Sequence, residues 1–201
     1  MKGVVLISGS GSNLQSIIDN AELINLDIQS VISNKADAYG LERAKNADIS
    51  THVLDHKLFD SRETFDQALS KLINQYTPDL IILAGFMRIL TTEFTRQYAG
   101  KMINIHPSLL PKFQGLNTHQ RAIDANETKH GASVHFVTDE LDGGPVIAQS
   151  SIDMIDNDSA QSLAKRVLVE EHKLFPKVIH WFTQGRLGLK DNQVTLDGKV
   201  L

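Results

Sequence analysis

The sequence of 201 residues contains no cysteine. That excludes disulfides, thiolate nucleophiles, and zinc or iron–sulfur sites held by cysteine. Long hydrophobic runs are also missing. The longest, Leu80–Met87, is far short of the ~20 residues that cross a bilayer, so no membrane partner is expected. The amino terminus has one early lysine and only Val4–Ile7 before Ser8-Gly9, too short for a signal-peptide core of about 7–15 apolar residues. A cytoplasmic location is the default expectation. Positive charge is scarce as well: 20 Lys and Arg stand against 24 Asp and Glu, a net charge of −4. Nucleic-acid binding needs a basic footprint, so nucleic acid is not an expected partner, although a local cationic pocket stays open. What is present is ordinary for a soluble globular protein, 41% hydrophobic and 22% charged residues, which excludes a disordered chain. The length suits one large domain or two tightly joined halves.

The opening reads as strand, turn, helix. Val4-Val5-Leu6-Ile7 is a continuous apolar run, as in a strand buried on both faces of a parallel sheet. Ser8-Gly9-Ser10-Gly11-Ser12-Asn13 forms the turn, and Leu14, Ile17 and Ile18 recur at helical spacing. Further strands are predicted over Ile28–Ser33, Thr51–Leu54, Leu80–Ala84, Lys101–Ile105, Ser133–Val137 and Val146–Ile152. Helices are predicted over Tyr39–Ala47, Arg62–Tyr76, Thr91–Tyr98 and Ser159–Phe182, the last with Ser159 as N-cap, and a small hairpin over Leu187–Leu196. Strands alternating with helices imply βαβ units and a mostly parallel sheet with helices on both faces, a Rossmann-like α/β fold with mixed strands in its carboxyl-terminal half. Ligands of such sheets bind at the carboxyl ends of the strands, which directs attention to Ser8–Asn13, Gly85–Leu90 and Asn104–Pro111.

The glycine-rich turn is suited to an anion. Glycine permits a sharp turn and close approach, and the following helix offers free N–H groups to a phosphate. A tight turn with nothing bound is the plainer alternative. Leu14 replaces the third glycine of G-x-G-x-x-G, and the second strand ends in Ser33-Asn34 without an acidic residue, which disfavours a nicotinamide cofactor. No lysine follows the glycines, so a nucleoside-triphosphate loop is excluded too. A single phosphomonoester fits better.

Asn104 and His106 alternate with Ile103 and Ile105, so the two polar side chains share one side of a strand that Pro107 ends. They could be satisfied core residues. Asp142, in Leu141-Asp142-Gly143-Gly144-Pro145, is a third candidate, or else a turn aspartate bonded to its own backbone; its glycines permit unusual backbone angles. If Asp142 reaches His106, it would favour and orient an imidazolium, and Asn104 could donate to a developing oxyanion. With no cysteine and no G-x-S-x-G elbow, the trio suits direct attack of one substrate on a carbonyl of another. His52 and His56 have metal-like spacing, but Thr51–Leu54 reads as a strand, only a helix would bring i and i+4 together, and no acidic third ligand is evident, so no metal is expected.

Five segments, VVLISGSGSNL (Val4–Leu14), ISNKA (Ile32–Ala36), LAGFMRIL (Leu83–Leu90), INIHPSLLP (Ile103–Pro111) and GASVHFVTDELDGGPVI (Gly131–Ile147), resemble the phosphoribosylglycinamide formyltransferases, folate-dependent enzymes of purine synthesis, and span nearly the whole chain. The resemblance implies formyl transfer from 10-formyltetrahydrofolate to the amine of glycinamide ribonucleotide through a tetrahedral intermediate. It implies that Asn104, His106 and Asp142 are catalytic. Gly11, Ser12, Asn13, Leu14, Glu171 and, less securely, Glu170 would hold the ribonucleotide. Arg62, Met87, Arg88, Ile89, Leu90, Asn104, Thr138, Asp139, Glu140, Leu141 and Asp142 would line the folate pocket. It further implies one formyltransferase domain over residues 1–201, a ribonucleotide half (1–100) and a catalytic, folate-binding half (101–201), in a monomer or weak homodimer. Formyltetrahydrofolate hydrolases and the formyltransferases of initiator tRNA would share the trio but normally carry additional domains. A non-catalytic phosphometabolite sensor would explain SGSGSN but not Asn104, His106 and Asp142 together.

Overall fold

A computed structural model describes residues 1–201. Its chain order is β1 (Lys2–Ile7), α1 (Ser12–Asn20), β2 (Asp27–Ser33), α2 (Gly40–Asn46), β3 (Thr51–Val53), α3 (Arg62–Asn74), β4 (Leu80–Leu83), α4 (Thr92–Gln97), β5 (Met102–His106), α5 (Thr118–Asp124), β6 (Lys129–Phe136), β7 (Val146–Asp153), α6 (Ala160–Thr183), β8 (Leu187–Lys190), β9 (Gln193–Leu196) and β10 (Lys199–Val200). Seven strands form one sheet in the order β3-β2-β1-β4-β5-β6-β7. The first five are parallel, and β6 and β7 are antiparallel to their neighbours. The last three strands make a separate small sheet. No helix is long and apolar enough to cross a membrane.

The apolar runs become strands because both faces of the sheet are covered. Val4, Leu6, Ile81, Leu83 and Met102 pack with Phe65, Leu69 and Ile73 of α3 and Phe94 of α4. Val5, Ile7, Ile82, Ile103 and Ile105 face the other way, against Leu14 and Ile17 of α1 and Val167, Phe175 and Ile179 of α6. The alternation of side chains along each strand thus divides one hydrophobic sequence between two cores. Ser159 caps α6 as the sequence predicts, its hydroxyl accepting from the Ser162 N–H while Ser162 reaches back to Ser159 N–H.

Two elements depart from the sequence reading. β6 begins at Lys129 rather than Ser133, because Lys129–Ala132 pair with Ser150–Asp153 on β7. Gly131 within this stretch is a packing requirement: a Cβ would fall on the Ser150 carbonyl oxygen. The helix α5 was not predicted; only Thr118 and Ala122 of its residues are buried, so it carries little apolar periodicity. β2 and β4 flank β1, and the chain leaves β1 toward one and later returns to the other. That reversal opens a crevice at the carboxyl ends of β1 and β4.

Candidate active site

β5 delivers Asn104 and His106 to the same side of the sheet, while Ile103 and Ile105 enter the core. Antiparallel pairing sets His135 of β6 directly opposite Asn104, and Ser133 opposite His106. Beyond β6 the segment Val137–Pro145 doubles back on itself, with the Phe136 N–H donating to the Pro145 carbonyl at 3.0 Å. Gly144 lies so close that a Cβ would strike the Phe136 carbonyl oxygen. The unusual backbone angle falls on Asp142 itself, with φ of 49°, rather than on the glycines after it.

This loop brings Asp142 onto the other two. Its Oδ2 lies 3.4 Å from His106 Nδ1 and accepts from the Gly115 N–H at 2.9 Å. Its Oδ1 lies 3.5 Å from Asn104 Nδ2 and 3.7 Å from His135 Nε2. The Gln114 amide donates to the Asp142 carbonyl at 3.3 Å, so the loop after β5 also holds the aspartate. The three groups, separated by up to 38 positions in the chain, share one small volume.

His135 was not singled out in the sequence, although it opens HFVTDELDGGPVI. Its Nδ1 lies 2.9 Å from the Phe136 carbonyl, so the hydrogen is on Nδ1 and Nε2 is left to accept from Asn104 Nδ2 at 3.1 Å. Burial keeps the ring neutral by lowering its pKa, against the pull of the Phe136 hydrogen bond and the Asp142 charge. His135 therefore fixes which way the Asn104 amide points. His106 is 6% exposed. Its Nε2 donates to the Phe113 carbonyl at 2.9 Å, and its Nδ1 faces the Asp142 carboxylate. Both ring nitrogens thus face acceptors, an arrangement that hydrogens on both nitrogens would satisfy. Its role becomes legible only once the antiparallel β5–β6 register is known, which makes residue 135 the partner of 104.

Two clefts lie at the carboxyl ends of the strands, and Asn104 and Asp142 line the first of them. The first, of about 490 Å³, is lined by Leu83, Phe86, Arg88, Ile89, Leu90 and Val137, with Thr138–Asp142, Asn104 and His135 closing it. The Arg88 guanidinium lies over the Phe65 ring at 5.2 Å, and its buried Nε has no hydrogen-bond partner. Apolar walls, an unsatisfied cationic donor and a polar rim suit a flat heteroaromatic ligand with an acidic tail.

The second, of about 650 Å³, is lined by Ser8–Asn13, Lys35, Ala84, Gly85 and Met87. Gly11 precedes α1 with φ of 69°, and a Cβ on it would lie 2.5 Å from the Gly40 Cα, so only glycine fits. No side chain caps α1 and no acidic residue occupies its first turn, which leaves the leading N–H groups to face the cleft. Lys35, two residues past the end of β2, adds a positive charge from outside the glycine segment, so the local glycine pattern does not reveal it. Asn13 donates to Glu171 Oε2 at 2.6 Å, and its own Oδ1 is buried without a partner. Glu171 is 7% exposed, and burial raises its carboxyl above the ordinary value, opposed by the Asn13 hydrogen bond.

Several expected binding residues sit elsewhere. Glu170 is one position, about 100°, around the helix from Glu171; it accepts from Ser150 and Lys173 and points away from the glycine turn. The Leu14 side chain is wholly buried in the core, so only its main chain can meet a ligand. Met87 lines the glycine-turn cleft rather than the apolar one, because successive residues after β4 face opposite sides: Gly85 and Met87 one way, Phe86 and Arg88 the other. Arg62 heads α3, exposed, and lies outside the cleft lining. Of the two metal-spaced histidines, His52 bonds the Tyr76 hydroxyl and His56 faces Asn34. The division at residue 100 is crossed twice: Leu83, Phe86 and Arg88–Leu90 line the apolar cleft, and Glu171 reaches Asn13.

Residues 1–179 match the family model described as formyl transferase. The chain is 53% identical over 203 residues to the phosphoribosylglycinamide formyltransferase of Escherichia coli (strain K12), covering 100% of this chain and 96% of that protein. It is 44% identical to the trifunctional purine biosynthetic protein adenosine-3 of Bos taurus over 94% of this chain, which is 19% of that longer protein. The solved structure of the phosphoribosylglycinamide formyltransferase from Coxiella burnetii, in complex with CHES, superposes with a TM-score of 0.97 at 53% identity, covering 100% of this chain and 95% of that one. The glycinamide ribonucleotide transformylase 1 from Symbiobacterium toebii gives 0.94 at 39% identity, with 98% and 93% covered.

Proposed function

The chain belongs to the formyl transferase family, and from that premise we propose the reaction and the parts that carry it out. It transfers a formyl group to the amine of glycinamide ribonucleotide in purine synthesis, with 10-formyltetrahydrofolate as donor, and leaves formylglycinamide ribonucleotide and tetrahydrofolate. The observation that carries the mechanism is the meeting of Asn104, His106 and Asp142, two of which line the apolar cleft, with the glycine-turn cleft at the end of the neighbouring strand β4.

The ribonucleotide phosphate binds the main-chain N–H groups of Gly11–Leu14 with Lys35 beside them, and Glu171 faces the ribonucleotide through Asn13. The folate ring enters between Leu83, Phe86, Leu90 and Val137, its acidic tail near Arg88, and Thr138–Leu141 form the rim. Phosphate and folate contacts lie away from the reacting atoms, so they orient the amine toward the formyl carbon rather than change its chemistry. The amine nitrogen bonds the formyl carbon. Asn104 and His106 donate to the oxygen as it gains charge, the formyl oxygen replacing the Phe113 carbonyl as acceptor of the His106 N–H. Asp142 holds His106 charged and oriented. A proton passes from the attacking nitrogen to the departing folate nitrogen, through His106 or a water, as the old carbon–nitrogen bond breaks.

The chain acts as one domain whose two clefts draw on both halves. The test is to mix the protein and formyl donor with glycinamide ribonucleotide, with water alone, or with charged initiator tRNA, and to follow tetrahydrofolate. Release only with the ribonucleotide supports this reading; release with water alone, or only with tRNA, replaces it by the hydrolase or the tRNA reaction. Binding of phosphoribosyl ligands without any folate turnover would make the protein a sensor.

A further inference from the structure

One feature of the fold has no part in the chemistry above: a chain of buried polar groups across the ends of three neighbouring strands. β2, β1 and β4 lie side by side, and their main-chain ladder ends at Ile7↔Ser33 and at the Ala84 N–H donating to Leu6. Side chains continue it. The Asn34 amide lies 3.2 Å from His56 Nδ1, and its Oδ1 accepts from Ser8 Oγ at 2.5 Å. Ser8 Oγ in turn accepts from the Met87 N–H at 2.8 Å. Ser8 is 4% exposed and Asn34 1%. Buried polar groups this well sealed are costly unless every partner is present, so the chain has few alternative arrangements.

What it holds is the wall between the clefts. Gly85–Leu90 has no regular secondary structure and is shared by the two cavities: Gly85 and Met87 line the ribonucleotide side, and Phe86 with Arg88, Ile89 and Leu90 the folate side. We propose that Ser8 and Asn34 are positioning residues that place this shared wall, so that one buried hydrogen-bond chain sets the fit of both substrates at once. Ser8 acts directly on Met87, and Asn34 acts through Ser8. The inference rests on the formyl-transfer reading.

The experiment is steady-state kinetics with glycinamide ribonucleotide and 10-formyltetrahydrofolate on Ser8→Ala, Asn34→Ala, the double variant and Ser8→Thr, with hydrogen exchange of Gly85–Leu90 measured alongside. Loss of one hydrogen bond to a buried N–H predicts a rise of about tenfold in KM for both substrates in Ser8→Ala, with a smaller change in kcat and faster exchange of the Met87 amide. Asn34→Ala should give a lesser rise, the double variant should be no worse than Ser8→Ala, and Ser8→Thr, which keeps the hydroxyl, should recover most of the loss. Both KM values within twofold of the parent in Ser8→Ala, or a rise for the ribonucleotide alone, would overturn the assignment, as would strictly additive effects. If Ser8→Ala does not fold, Asn34→Ala carries the same two-substrate test. A parent protein that transfers no formyl group would remove the functional reading and this one together, whereas an active parent with unresponsive variants removes only this one.

Discussion

The two clefts are built by different means. The proposed ribonucleotide side is mostly backbone: one local run, Ser8–Asn13, turns at Gly11 and presents the uncapped start of α1, with Lys35 and Asn13 added. The proposed catalytic and folate side is mostly side chains from β5, β6 and two loops, and nothing local holds it together. A backbone site tolerates side-chain replacement and yields binding energy; a site of converging side chains concentrates the chemistry in a few atoms. Substitutions should therefore divide cleanly, with rate lost on one side and affinity on the other.

The largest effect is expected for Asp142→Asn. It removes the charge facing His106 Nδ1 at 3.4 Å while nearly keeping the shape. Turnover should fall by about 10³-fold with ribonucleotide binding retained in calorimetry. Near-normal turnover would break the division. Asn104→Ala removes a donor to the developing oxyanion and should cost about 10²-fold in kcat, read in the same assay. His135→Leu removes the nearer of the two acceptors that orient the Asn104 amide and leaves only Asp142 Oδ1 at 3.5 Å; a loss of about tenfold in kcat with KM little changed would place His135 with the chemistry rather than with binding. On the other side, Lys35→Ala should raise the ribonucleotide KM about tenfold and leave kcat alone, with the difference shrinking as salt rises. A fall in kcat without a change in KM would move Lys35 across the comparison.

The smallest effect at neutral pH concerns His130, which lies under the loop that carries Phe113, its ring 6.2 Å from the Phe113 ring. Burial, chiefly, lowers its pKa to about 4, with help from the neighbouring His119 and from His106. The unfolded chain therefore binds a proton near pH 6.5 that the folded chain refuses until about pH 4. Stability is full above about pH 6.5 and declines as pH falls toward 4. Denaturant titrations should show this slope, and His130→Gln should flatten it. An unchanged slope would mean that His130 opens to solvent before the protein unfolds.

This contrast also explains what the sequence could reveal. β4, Leu80–Leu83, is legible because four apolar residues in a row are buried on both faces. The glycine turn is legible because its chemistry is local. Asn104 and His106 are visible as a pair on one strand face, but their meeting with Asp142 depends on the β5–β6 register and on a reversal after Phe136, neither of which leaves a local trace. His135 was invisible for that reason, and Lys35 because it arrives from an adjacent strand. Glu170 and Met87 illustrate the converse. The family pattern places them near the site, yet the helix turns Glu170 away from it and the irregular segment after β4 turns Met87 to the other cleft. Gly143 and Gly144 read as conformational freedom, whereas Gly144 is needed for contact with the Phe136 carbonyl and the positive φ belongs to Asp142.

The central claim is that three side chains distant in sequence meet around one carbon atom. A crystal structure with unreactive analogues of both substrates in place tests it most directly. The account predicts Asn104 Nδ2 and a His106 ring nitrogen within hydrogen-bonding distance of the formyl-equivalent oxygen, the Phe113 carbonyl displaced from His106, and Asp142 still against the imidazole. A formyl-equivalent carbon held out of reach of Asn104 and His106, or Asp142 turned away from the imidazole with both analogues bound, would contradict it.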